Sequence, residues 1–502
     1  MYHILNTLIR TYFKSRKKHL HSICNQSIEK QNFWFNYLLK NGTKTVYGKI
    51  CQFDSFQNYS DFQQKVPIVN YETLQPWIQK MMDGEHHILW NSKITCFAKS
   101  SGTSSSKSKY LPVSKASLKY NHYKSTRDIL TIYVNLYPQT QMFKGKGLAL
   151  GGSFQNCPKP LRCGDVSAIL MQNSPVLGDF LRTPSRKTAL MANWKEKLKN
   201  LCRETQNENV TSISGVPSWL LILCQEVIKS KSAANLAEVW SNLEVFFHGG
   251  VNFEPYKLQY ERLMNGKPLH FINTYNASEG FFGVQDQRDN DDLLLLTDNG
   301  IFYEFIKMSD FYAGQRHAIP LSEVELHTDY ALVITTCCGL WRYVLGDTVK
   351  FTSLKPYRFK ITGRTNAFIN AFGEELVVEN AEQALAETCT ITQTQIREYT
   401  VAPIYFSEEQ ASGRHQWLIE FETPPQNLQH FESVLDQNLK KINSDYEAKR
   451  SYDLILKSPE IIHLPDGTFF KWLEKCQKLG GQHKIPRLKN DRSLADDILK
   501  LL

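Results

Sequence analysis

Two rhythms of apolar residues alternate along the first two thirds of this chain. Short apolar runs at 94–97, 147–152, 210–213, 243–247 and 271–275 each predict a strand, because a strand buried on both faces reads as a nearly continuous apolar run. Between them lie stretches with helical spacing. Residues 117–133 carry Leu118, Tyr123, Ile129 and Leu130 among their apolar positions, and 220–228 is a helix entered from Gly215-Val-Pro-Ser-Trp219. Residues 26–82 predict helices rich in Phe, Tyr and Gln, broken at Asn41-Gly42 and Pro67. The runs at 293–296 and 300–306 predict a hairpin around Asp298-Asn-Gly300. Strands alternating with helices define an α/β fold, with a mostly parallel sheet, flanking helices and a ligand at the carboxyl edge of the strands.

Beyond Arg364 the texture changes. A strand at 359–363 and a turn at Gly373 lead into a helix at 377–386. Strands at 398–402 and 416–421, a helix at 429–442 and a Gly480-Gly481 break follow. This predicts a large N-terminal domain, 1–366, and a small α+β C-terminal domain, 367–502.

Composition narrows the class. A length of 502 residues exceeds what a single core organises. With 42% hydrophobic and 12% aromatic residues the chain is globular, which excludes a disordered protein. Its net charge of +9 suits anionic ligands such as nucleotides. No arginine-rich segment interleaves with aromatics, so no nucleic acid is expected as a partner. Eleven cysteines show no CxxC pair and no Cys/His metal spacing, and the histidines lack zinc spacing, which fits a reducing, cytoplasmic compartment. The first 22 residues are basic, with Arg10, Arg16, Lys17 and Lys18, yet lack the apolar centre of a signal peptide. An amphipathic first helix is the simpler reading. No apolar run approaches the roughly 20 residues of a membrane span, so neither a membrane nor a membrane partner is expected.

Three segments carry chemistry. Lys99-Ser-Ser-Gly-Thr-Ser-Ser-Ser-Lys-Ser-Lys109 offers backbone N–H groups, hydroxyls and cationic tips to a polyphosphate, and it follows a strand. Tyr275-Asn-Ala-Ser-Glu-Gly280 ends a strand with a carboxylate suited to Mg²⁺. Arg342-Tyr-Val-Leu-Gly-Asp347 ends in an acid that can accept hydrogen bonds from a ribose diol. Each has an ordinary reading too: a solvated serine loop, an acid at a helix N-terminus, a turn aspartate at a strand entry. Their order along one domain favours a nucleotide site. The aromatics Tyr120, Tyr123, Trp219, Phe247, Phe281 and Phe282 are candidates for an apolar acyl pocket. His248, beside Gly249-Gly250, would face that pocket if it is not simply a core or turn histidine.

With these residues in view, the chain resembles the acyl-acid amido synthetases of the auxin-responsive family, within the adenylate-forming superfamily that includes acyl-CoA synthetases and luciferases. The resemblance runs over essentially the whole chain. It rests on Ser100-Ser-Gly-Thr-Ser104 with Lys109, on Tyr275-Asn-Ala-Ser-Glu279, on Gly339-Leu-Trp-Arg-Tyr343 with Gly346-Asp347, and on Gln482-His-Lys-Ile-Pro-Arg487. It departs at Ser104-Ser-Ser106, where many relatives carry a glycine.

The resemblance implies ATP and Mg²⁺ as cofactors, and a small carboxylic acid and an amine or amino acid as substrates. The small domain would be mobile, with its hinge near Asn366, and the protein a monomer. Ser100, Ser101, Gly102, Thr103, Ser104, Ser105 and Lys109 would wrap the phosphates. Glu279 would hold Mg²⁺, Tyr275 would lie against the adenine, and Asn276, Ser278 and Gly249 would complete the nucleotide site. Asp347 would hold the ribose, helped by Arg364. Lys484 would reach the α-phosphate. The activity implied is adenylation of a carboxylic acid followed by acyl transfer to an amine. The alternatives are transfer to a thiol, as in acyl-CoA ligases, and an inactive nucleotide-binding relative.

Overall fold

The computed structural model describes residues 2–100, 109–174, 176–251, 253–365, 368–406, 412–453, 455–476 and 485–502. Its central feature is a twelve-stranded sheet. In spatial order its strands are Ile319–Pro320, Ile301–Lys307, Asp329–Thr336, Tyr343–Leu354, Tyr357–Arg364, Leu293–Leu295, Gly280–Gln285, His270–Ala277, Val245–His248, Val210–Gly215, Lys146–Ala149 and Arg182–Thr183. Helices flank it, as expected for an α/β fold.

Parallel pairing is confined to the half running from His270–Ala277 to Arg182–Thr183. The other half is antiparallel. The connections explain the split. Helices Pro217–Lys231 and Glu254–Leu263 cross over between successive parallel strands, whereas residues 278–279 and 355–356 are tight turns that return the chain beside itself. Gly215, with φ of +151°, turns its strand directly into a helix that Pro217 opens.

The expected hairpin around Asp298-Asn-Gly300 does not form. Leu293–Leu295 pairs with Gly280–Gln285 and Tyr357–Arg364, and Ile301–Lys307 pairs elsewhere. The turn residues are taken up by tertiary bonds. Trp34 Nε1 donates to Asp298 Oδ1 at 3.0 Å, Asn121 Nδ2 to the Asn299 carbonyl at 3.0 Å, and Gln31 Nε2 to the Thr297 carbonyl at 2.9 Å.

The N-terminal helices Ser27–Gly42 and Tyr71–Met82 bury Trp34, Leu38, Leu74 and Ile78 against the antiparallel half. The C-terminal segment has its own sheet, Gln395–Ile404, Arg414–Thr423 and Glu460–Leu464, backed by helices Val378–Thr392 and Leu428–Ile442. It shares a core with the parallel half, where Tyr256 Oη donates to the Ala371 carbonyl at 2.5 Å. Among the described residues, no helix is long and apolar enough to cross a membrane.

Candidate active site

The two halves of the sheet meet beside a cavity of about 1720 Å³. Segments far apart in sequence reach it, each for a local reason. Strand Cys96–Ser100 pairs antiparallel with Lys109–Val113, and the register sets Ser100 opposite Lys109. Both residues line the cavity. Lys109 Nζ sits 5.4 Å from the centroid of the Tyr71 ring, whose hydroxyl accepts the Tyr110 N–H at 2.9 Å. Burial pulls the Lys109 ammonium below its ordinary pKa, while Glu279 and Glu72 oppose that shift.

Ser278 and Glu279 form the turn between His270–Ala277 and Gly280–Gln285. They face the cavity together with Asn276 and Tyr275. Glu279 is enclosed by the protein body while part of its surface stays open to the cavity. Burial pushes its carboxyl up to about 7, against the pull of Lys109 and Arg364 and with Asp347 adding to the rise. A carboxylate so penalised gains from an arriving cation. Among the described residues, no group of three or more His, Cys, Asp or Glu side chains is arranged to hold a metal by itself. This donor set fits Mg²⁺ that brings phosphate oxygens as its other ligands, the usual arrangement for that ion.

Asp347 lies opposite Arg364 across the Tyr343–Leu354 and Tyr357–Arg364 pair, and Arg364 Nε is 2.8 Å from Asp347 Oδ1. Tyr275 Oη donates to Asp347 Oδ2. The Tyr275 ring is packed by Phe282 and Phe359, with centroids 4.9 and 6.0 Å away, so it props Asp347 as well as lining the cavity. Gly249 also lines the cavity, and a Cβ there would stand 2.3 Å from the Thr274 carbonyl oxygen. Only glycine fits that approach.

Of the expected acyl-pocket residues, Tyr123, Trp219 and Phe281 line the cavity, as does Phe247. His248 does not. Successive strand residues face opposite ways, so it points away from Phe247 into the core and stacks on Phe253 at 3.8 Å. Burial drives its ring down to about 3, which keeps it neutral. The residues Ser101, Gly102, Thr103, Ser104, Ser105 and Lys484, the Gly480-Gly481 break and the expected hinge at Asn366 lie outside the described residues.

Several cavity residues carried no sequence signal. Asp165 lines the cavity and accepts the Ser153 N–H at 2.7 Å. Lys197, in helix Trp194–Thr205, is buried and donates to the Gly151 carbonyl. Lys449 comes from the C-terminal helix Ser444–Arg450. Isolated lysines on charged helices have no periodicity or motif to distinguish them from surface residues.

The chain matches the family model of the GH3 family N-terminal domain over residues 16–269, the central domain over 294–364 and the C-terminal domain over 379–493. It is 22% identical to the indole-3-acetic acid-amido synthetase GH3.3 of Arabidopsis thaliana, covering 90% of this chain and 87% of that protein. It is also 22% identical to the 4-substituted benzoates-glutamate ligase GH3.12 of Arabidopsis thaliana, covering 90% and 91%. Its fold is similar to that of AtGH3.15 acyl acid amido synthetase in complex with 2,4-DB, with a TM-score of 0.62 at 17% identity over 98% of this chain and 96% of that one. A 2-hydroxyisobutyryl-CoA ligase shares the fold at a TM-score of 0.58 and 13% identity, over 94% and 92%.

Proposed function

The chain belongs to the GH3 family, and from that premise we propose that it is an ATP- and Mg²⁺-dependent ligase joining a carboxylic acid to an amino acid through an acyl-adenylate. The observation that carries this reading is the meeting, on one cavity, of Ser100 and Lys109, Ser278 and Glu279, and the Asp347–Arg364 pair. The relatives named as amido synthetases and ligases support the same reaction class.

In the first half-reaction a carboxylate oxygen attacks the α-phosphorus of ATP and pyrophosphate leaves. In the second, the amine nitrogen attacks the acyl carbon, AMP leaves, and the nitrogen gives up its proton to solvent. The barrier to the first step is the approach of two anions, which cationic and N–H groups must offset. Lys109 and the serine-rich segment from Ser100 to Ser105 would bind the phosphates. Asp347, held by Arg364 and Tyr275, would take the ribose hydroxyls, and Asn276 and Gly249 would border the nucleotide. Lys484 would supply a cation at the α-phosphate. Glu279 is the residue that would hold Mg²⁺, and that ion, bound with the nucleotide, would neutralise phosphate charge.

Tyr123, Trp219, Phe247 and Phe281 would form an apolar acyl pocket, which favours an aromatic or aliphatic acid. A domain boundary near 366, with the segment 367–502 swinging between half-reactions, would let one cavity serve both. The test is acid-dependent ATP–pyrophosphate exchange across indole-3-acetate, substituted benzoates and aliphatic acids. Exchange with one of these acids, lost in Glu279→Ala and Lys484→Ala, is the expected result. ATP binding with no exchange for any acid would overturn the reading.

A further inference from the structure

The first 28 residues contain no acidic side chain, and Glu29 is the first acid in the chain. Two helices, Tyr2–Ser15 and Lys17–Asn25, take up most of this segment and are interrupted at Arg16. Their inner faces belong to the fold. Phe13 and Ile23 are buried, and Phe13 stacks on Phe143 with centroids 5.9 Å apart. Asn6 Oδ1 accepts the Phe143 N–H at 3.1 Å, and Arg16 Nη2 is 2.9 Å from Asp128 Oδ1. The outer face is different. Ile4, Leu8 and Tyr12 are 69%, 63% and 49% exposed. At i, i+4 and i+8 they make one continuous stripe, not scattered apolar residues. Lys14, Lys17, Lys18 and His21 are exposed around a cleft at the interruption. Among the described residues, no carboxylate pairs with any of these three lysines.

A stripe of apolar side chains in water gains from a hydrophobic partner, and unpaired ammonium groups beside it select a partner of negative charge. A nucleic acid would engage the lysines through its phosphates and leave Ile4 and Leu8 in water. A bilayer with anionic headgroups satisfies both features at once. We propose that the outer face of residues 4–21 is a docking surface for an anionic phospholipid bilayer. Ile4, Leu8 and Tyr12 enter the interface, and Lys14, Lys17 and Lys18 lie among the headgroups. The sequence led us to expect no membrane partner because it holds no run long enough to span, but a helix lying in the interface needs only one apolar face. The docking surface is independent of the ligase reading, since none of these residues lines the large cavity.

The test is co-sedimentation of the full-length protein with phosphatidylcholine vesicles, with and without phosphatidylserine, at low and high salt. The protein should pellet with the phosphatidylserine vesicles and stay in solution with phosphatidylcholine alone, and high salt should weaken the binding. Neutralising the three lysines together, as Lys14→Gln, Lys17→Gln and Lys18→Gln, should lower the partition coefficient roughly a hundredfold. Ile4→Ser with Leu8→Ser, which keeps every charge, should lower it by about tenfold or more. Both sets of substitutions lie on exposed positions, so thermal melts should match wild type.

No pelleting with phosphatidylserine vesicles would overturn the proposal. So would equal binding to both kinds of vesicle, which would leave the lysines without a role. Binding that survives Ile4→Ser with Leu8→Ser undiminished would reduce the contact to charge alone and overturn it as well. A double-stranded oligonucleotide that binds the protein and strips it from the vesicles, with the apolar variant binding that oligonucleotide as wild type does, would assign the basic face to nucleic acid instead. Should the apolar pair of substitutions unfold the protein, Leu8→Ser alone with the lysine variant still decides the matter.

Discussion

Arg342 and Arg364 each meet a carboxylate on the same large sheet. Arg342 is 2% exposed, and its Nε lies 3.1 Å from both oxygens of Glu304 while Nη2 lies 2.9 Å from Oε1. Its Nη1 donates to the Gln63 and Val66 carbonyls at 2.7 Å, and Tyr59 Oη supplies a further donor to Glu304 at 2.8 Å. That pair is sealed inside the protein and fastens the N-terminal helical layer to the sheet. Asp347 instead takes one donor on each oxygen, from Arg364 and Tyr275, and borders the cavity with acceptor capacity remaining. The same chemical pair is architectural where it is sealed in the core and suited to a ligand where it borders a cavity.

This contrast is open to direct attack. The largest effect should come from Arg342→Met, which strands a buried Glu304. Urea unfolding should lose about 3–5 kcal/mol of stability. Asp347→Asn should leave the urea midpoint close to wild type and raise the KM for ATP about ten- to a hundredfold, since it weakens charge-assisted bonds to the ligand. If Asp347→Asn unfolds as readily as Arg342→Met, the distinction between the two pairs collapses. Tyr275→Phe removes a single prop from Asp347, and pyrophosphate-exchange kinetics should show only a few-fold rise in the KM for ATP.

A last effect concerns Glu279 and is read through pH. Its folded carboxyl is raised from 4.5 to about 7, so the unfolded chain gives up that proton first as pH rises. The nucleotide-free protein should therefore lose stability between those values, a slope that Glu279→Gln should lack in thermal melts recorded across that range. Exchange activity at limiting Mg·ATP should rise with pH through about 7 as the carboxylate ionises. A flat profile would remove Glu279 from cation binding.

The convergence of Ser100, Glu279 and Asp347 on one cavity was legible in the sequence because polar residues interrupt apolar runs there, at a strand end for Ser100, in a turn for Glu279 and after a glycine within a strand for Asp347. Arg342 and Asp347 belong to one continuous motif, yet the strand carries them to different partners, and only tertiary structure separates a clamp from a site. His248 follows two phenylalanines in a run buried on both faces, so hydropathy held no phase to tell which side it takes. The expected hairpin at Asp298 failed because turn propensity is local, whereas Trp34, Gln31 and Asn121 reach that turn from more than 170 residues away in sequence. Lys197 and Lys449 were invisible for the same reason, since each is defined by what packs against it.

The alternation along Val245–His248 also bears on redesign. Phe247 turns to the cavity and His248 to the core, so neighbouring codons carry opposite risks. A mutant library meant to widen the range of acids should vary Phe247 with Tyr123 and Phe281 and hold Phe246 and His248 fixed. Randomising the whole strand would mostly collect misfolded clones, and their silence in a screen would be mistaken for narrow specificity.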